Sequence, residues 1–114
     1  MNLEYIFKIV DKEEWNLAKD KGFYSGSTMD LKDGYIHFSN EEQIQETLKK
    51  HYSKKENLVL LKVHTLKLDH LLWEQASNGN MYPHLYSKID IKDVKEEYEL
   101  ELNSDGTHKL PSVL

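Results

Sequence analysis

The sequence predicts an α+β domain, compact and mostly antiparallel, with its two main helices in the N-terminal half. Three observations carry that prediction. The order of elements begins strand, helix, strand, helix and continues mostly as strands, whereas a doubly wound parallel sheet keeps alternating helices to its end. Leu58-Val59-Leu60-Leu61-Lys62-Val63 is an apolar run of strand length bounded by the polar stretch Ser53 to Asn57. Val94 to Leu102 alternates, with Val94, Glu96, Tyr98, Leu100 and Leu102 set against Lys95, Glu97, Glu99 and Glu101, the pattern of a half-buried antiparallel edge strand.

The elements follow in order. Leu3 to Val10 reads as a strand with Tyr5, Phe7 and Ile9 on one face and Ile6 and Val10 on the other, apolar on both and therefore internal. Asp11 followed by Glu14 is a capping box for a helix through about Lys21, with Trp15 and Ala18 buried and Gly22 as its stop. Residues 23–34 hold two glycines and several hydroxyls, Ser27 among them, and are expected to be an irregular loop walling a site. Asp33-Gly34 is a turn signal, and Tyr35 to Phe38 is a short strand. Ser39 with Glu42 has the form of a capping box for a helix over about Asn40 to Tyr52, whose stripe is Ile44, Leu48 and Tyr52. Leu66 to Leu68 is a brief turn, Leu71 to Glu74 another strand, Gln75 to Ser87 a long loop folded back on the body, and Ser104-Asp105-Gly106 a turn.

Composition narrows the function. A chain of 114 residues that is 39% hydrophobic and 31% charged is expected to form one domain spanning the whole sequence, with a single core. It has no apolar run near the ~18–20 residues of a membrane helix and no signal-peptide pattern, so a cytoplasmic location and no membrane partner are expected. The net charge of −5 disfavours nucleic acid as a partner. Arginine is absent: all 15 basic residues other than histidine are lysine, so phosphate would be held by Lys, backbone N–H groups or hydroxyls. A monomer is expected, with an interaction module whose acidic surface meets a protein partner as a further alternative. With no cysteine there is neither a disulfide nor a thiol nucleophile.

Six histidines invite zinc, but no His-Glu-x-x-His and no i, i+4 pair on a predicted helix occurs, so no metal site is expected. His51 and His108 read as surface residues. His37 stands at the strand-to-helix junction, where it either bonds a nearby backbone carbonyl or donates to a ligand hydroxyl; Ser39 either caps the next helix or touches that ligand. Trp73-Glu74 and Tyr82-Pro83-His84-Leu85-Tyr86 form a second constellation. Glu74 is either a solvated strand-end residue or a general acid or base with its pKa raised by partial desolvation. The rings of Tyr82 and Tyr86 suit a tucked-in loop or a stacking pocket for a nucleobase or nicotinamide, and His84 is the second site histidine.

Phe7-Lys8-Ile9-Val10, Trp15, Phe23-Tyr24-Ser25-Gly26-Ser27, Asp33-Gly34-Tyr35-Ile36-His37-Phe38-Ser39, Trp73-Glu74 and Pro83-His84-Leu85-Tyr86, in that order, resemble the DUF952 family of small bacterial proteins over about Tyr5 to Leu110. Ser87 stands where that family usually carries Gly. The resemblance implies an ADP-ribosyltransferase-like fold, a compact split sheet holding NAD in a cleft. It implies that His37 and Ser39 contact the dinucleotide, that Tyr82 or Tyr86 stacks on nicotinamide, and that Glu74 orients the ribose. Ser27 and His84 would complete the cofactor site, with Glu74 and His37 as the catalytic pair. The expectation is an enzyme of the NAD-using type that cleaves or transfers at the nicotinamide–ribose bond; the alternative is a non-catalytic domain binding a nucleotide-like or other small ligand.

Overall fold

The structure, a computed structural model, describes residues 4–112 and 114. Leu3, the start of the predicted opening strand, lies outside the described residues. Strand β1 (Tyr5–Asp11) leads into helix α1 (Lys12–Lys21). The Asp11 carboxylate accepts from the Glu13 and Glu14 amides, and Gly22 closes the helix at φ 95°, a left-handed turn open to glycine at little cost. Trp15 and Ala18 are its buried residues, as the pattern predicted.

The predicted loop over 23–34 is instead ordered. It contains β2 (Phe23–Tyr24) and a short helix α2 (Thr28–Asp33) capped reciprocally by Ser27 and Asp30. Ser27-x-x-Asp30 is a capping box in form, with Asp standing where Glu or Gln is usual. Strand β3 (Ile36–His37) follows, then a 3₁₀ turn (Glu41–Gln43) running into α3 (Ile44–His51). The cap of that turn is Asn40 with Gln43, one residue later than Ser39 with Glu42. The shift has a cause: Ser39 exchanges both backbone hydrogen bonds with Phe7, each 2.8 Å, and is still strand.

Strand β4 (Leu58–His64) pairs antiparallel with β1 along its whole length and with β8 (Val94–Leu102) on its other side; β9 (His108–Lys109) adds to the end of β8. The first sheet therefore has the order β1-β4-β8-β9. A second sheet has the order β3-β6-β5, where β5 (Leu71–Gln75) and β6 (Met81–Leu85) form a hairpin within the stretch expected to be a long loop. Pro83 obscured that strand. Its carbonyl accepts from the Phe38 amide at 3.0 Å, but Pro has no N–H to return, and the pairing of β3 with β6, Ile36 to Leu85 and His37 to His84, ends there. A small ladder joins β2 to β7 (Ile89–Asp90).

The bridge between Phe7 and Ser39 links the two larger sheets into one curled, mostly antiparallel surface. One core gathers Ile6, Val10, Trp15, Val59, Leu61 and Leu85 with their neighbours; the other gathers Phe7, Ile9, Ile44, Leu48, Leu58, Leu60 and Leu100. Odd and even positions of β1 and β4 thus serve opposite cores, as the alternation of side chains along a strand requires. Lys8 is the exception: it occupies the same face as Ile6 and Val10 and is buried with them.

Candidate functional site

Beside the single Phe7–Ser39 bridge lies a cavity of about 640 Å³. Residues 7–11 of β1 form one side and Tyr35, His37, Phe38 and Ser39 the other, with β6, α3 and the β5–β6 turn completing the wall. Of the residues expected to form the site, Ser27, His37, Ser39, Tyr82 and His84 line it. Glu74 and Tyr86 do not. They stand behind His84, reached through hydrogen bonds from His84 Nδ1 (2.8 Å) and the Tyr86 hydroxyl (2.5 Å) to Glu74 Oε1.

The wall is aromatic because β3 and β6 are in register. His37 faces His84 across the ladder, and the alternation of side chains puts Tyr35 and Tyr86 beside them. Tyr35 stacks on His84 with centroids 4.1 Å apart at 24°, and the His37 ring lies 4.6 Å from Tyr35 and 5.6 Å from His84. Glu74 is partly exposed, and the hydrogen bonds from Tyr86 and then His84 hold its carboxyl below the usual carboxylate range. The upward shift that the acid–base reading of Glu74 required does not occur: burial works in that direction and is outweighed. The same bond pushes the Tyr86 phenol up to about 12. With the Glu74 carboxylate on Nδ1, the neutral His84 ring carries its proton there and presents Nε2 as the free nitrogen.

The floor was not foreseen. Asp30, 2% exposed, accepts from the Ser27 amide (2.9 Å), the His37 amide (3.2 Å) and His37 Nδ1 (2.5 Å), and pairs with Lys8 Nζ at 3.0 Å. Burial works to raise its pKa, but the His37 hydrogen bond, the Lys8 charge and the Ser27 amide together hold it well below the ordinary value. Lys8, 3% exposed, is pulled downward by burial and supported by Asp30. Gly26 makes room for this arrangement. At φ +120° any side chain is strained, and a Cβ there would stand 2.8 Å from the Asp30 Cβ. Lys8 could have been found from the sequence as a lysine inside a strand apolar on both faces, which must be buried and paired.

Several predicted contacts are occupied within the protein. Both His37 nitrogens face carboxylates, Asp30 at 2.5 Å and Asp33 at 3.0 Å. The Ser39 hydroxyl meets the Thr47 hydroxyl at 3.1 Å, and the Ser27 hydroxyl caps α2. Tyr82 accepts from Asn78 at 3.1 Å. Of the two histidines read as surface residues, His108 is instead buried and bonded to the Lys55 carbonyl at 2.7 Å, whereas His51 is exposed as read and also lines the cavity with Lys50 and Lys55. Among the described residues no helix is long and apolar enough to cross a membrane.

No curated protein matches the chain. The crystal structure of protein CC0527 from Caulobacter crescentus is similar, with 42% sequence identity, a TM-score of 0.88, and coverage of 92% of this chain and 93% of that one. The solution NMR structure of CC0527 gives a TM-score of 0.83 at the same identity, covering 92% of this chain and 91% of that one. The family described as protein of unknown function (DUF952) matches residues 9–97. With most of its length inside that match, the chain belongs to the DUF952 family.

Proposed function

We propose that the cavity binds a nucleotide of the NAD type, within a split sheet of the ADP-ribosyltransferase kind. One observation carries this reading: Ser27, His37, Ser39, Tyr82 and His84, scattered through the sequence, line one cavity whose size suits a small-molecule ligand. Its aromatic wall offers stacking for a ring, and Lys50 and Lys55 offer positive charge for phosphates in a chain without arginine. The test is to titrate the full chain with NAD and follow melting temperature and heat of binding. A ligand at a hundred times its dissociation constant adds about 2.7 kcal/mol; no shift with NAD, AMP or ADP-ribose would remove the reading.

Cleavage is the second reading, and the Glu74–His84 pair favours it. The bond between ribose C1′ and the nicotinamide nitrogen would break with its electron pair going to the pyridinium ring. Water would then add to C1′, and its proton would pass to His84 Nε2. Glu74 would act by orienting His84, and His37, with both nitrogens bonded, would anchor the wall. Nicotinamide released from NAD by the wild type and lost in His84→Ala supports cleavage; binding without release leaves a ligand-binding domain.

A further inference from the structure

The floor of the cavity carries polar groups whose bonding is incomplete. Tyr24 lines the cavity and is 3% exposed, yet its hydroxyl has no hydrogen-bond partner among the described residues. A buried, unpartnered hydroxyl is costly, and native proteins leave few of them. Lys8 also lines the cavity; its ammonium carries three N–H groups, and Asp30 is the acceptor it meets. Asp30 has no capacity left, because four donors (the Ser27 amide, the His37 amide, His37 Nδ1 and Lys8) already use the roughly four lone-pair sites of a carboxylate. Burial, then the charges of Asp30 and Glu14, push the Tyr24 phenol upward, so it stays protonated. The floor therefore offers donors.

Its charges are already matched. Lys8 stands against Asp30, and His37 lies between Asp30 and Asp33. A carboxylate or phosphate brought here would place an unmatched negative charge beside buried Asp30, which is expensive in a low-dielectric setting. An uncharged acceptor meets no such cost. The neighbouring wall of Tyr35, His37 and His84 is made of flat rings joined to the floor through the His37–Asp30 bond.

We propose that the floor is a subsite for an uncharged carbonyl oxygen borne on a planar ring, which accepts from the Tyr24 hydroxyl and the Lys8 ammonium. This rests on the reading of the cavity as a ligand site and not on NAD being the ligand. The experiment measures binding of nicotinamide, uracil and hypoxanthine to the full chain, beside nicotinate and pyridine, in wild type and Tyr24→Phe. At least one uncharged ring carbonyl binds, nicotinate and pyridine bind about tenfold or more weakly than nicotinamide if that is the one, and Tyr24→Phe weakens the bound compound about tenfold. The melting temperature of ligand-free Tyr24→Phe equals or exceeds that of wild type, because the change removes an unpartnered polar atom. Failure of all three compounds to bind, equal affinity in Tyr24→Phe, a nicotinate preference, or a Tyr24→Phe protein that melts several degrees lower would each overturn the proposal. Failure of NAD alone, with a ring carbonyl still bound in a Tyr24-dependent way, overturns the NAD reading and leaves this subsite standing. NAD binding that is indifferent to Tyr24→Phe does the reverse.

Discussion

The protein places a carboxylate on the Nδ1 of a histidine twice, in opposite surroundings. Asp30 on His37 lies in the interior, with Lys8 and two backbone amides completing its shell. Glu74 on His84 lies at the margin of the second sheet, partly exposed, with only the Tyr86 hydroxyl added. The bonds are alike, but the cost of breaking them is not. Removing one member of a buried set strands the others without water, whereas an exposed set is rescued by solvent and screened by it. The interior pair is therefore a folding element that shapes the cavity, and the marginal pair is free to tune a side chain that lines it.

That contrast can be broken most sharply at Asp30. Asp30→Asn leaves Lys8 buried beside a neutral amide, and the expected loss is about 3–5 kcal/mol in urea denaturation. A loss below 1 kcal/mol would mean that the interior set behaves like the marginal one. The pH dependence carries the same information. Because the folded Asp30 binds a proton less readily than its ordinary value of 3.8 implies, its contribution is complete above that pH and declines as pH falls toward the folded value. Acid unfolding below about pH 4 should thus be steeper in wild type than in Asp30→Asn.

Gly26→Ala tests the floor through sterics. The added Cβ meets the Asp30 Cβ at 2.8 Å from a backbone at φ +120°, and a loss of about 1–3 kcal/mol is expected. The smallest effect on folding is expected for Glu74→Gln. Its urea midpoint should match that of wild type, while the Tyr86 phenol, pushed up to about 12 by Glu74, should titrate back toward 10.0. Nitrogen chemical shifts of His84 should report loss of the fixed tautomer. A Glu74→Gln protein with unchanged Tyr86 titration would show that the marginal set does no tuning.

Much of the architecture was legible in the residues. Helix α1 follows from Asp11, Trp15, Ala18 and Gly22, and the two faces of β1 from its alternation. Two misreadings share one cause, a local signal overruled by pairing elsewhere: Ser39 looked like a cap but is held by Phe7, and Pro83 suggested a loop but sits in a strand that tolerates it where β3 ends. A third is a local signal missed: residues 23–34 looked irregular although Ser27 and Asp30 cap each other. Around the cavity, His37, His84 and Tyr82 were picked out through their motifs, whereas Tyr86 stands behind His84. Asp30 and Tyr24 were passed over because an aspartate in a glycine-containing stretch and a tyrosine beside a helix stop are ordinary features of a surface turn.

The sequence by itself determined helix α1 with its stop at Gly22, the apolar stripe of α3, the strands β1, β4 and β8, and the two apolar faces of β1, because those follow from local periodicity and capping. It also required that a lysine at position 8 find a partner. Only the tertiary structure decided that the partner is Asp30, 22 residues away, and that Ser39 bridges to Phe7 beside a cavity. The reason is physical: burial sets the need for a matching charge through solvation, but which group meets that need depends on how distant strands are brought together, and local pattern holds no record of it.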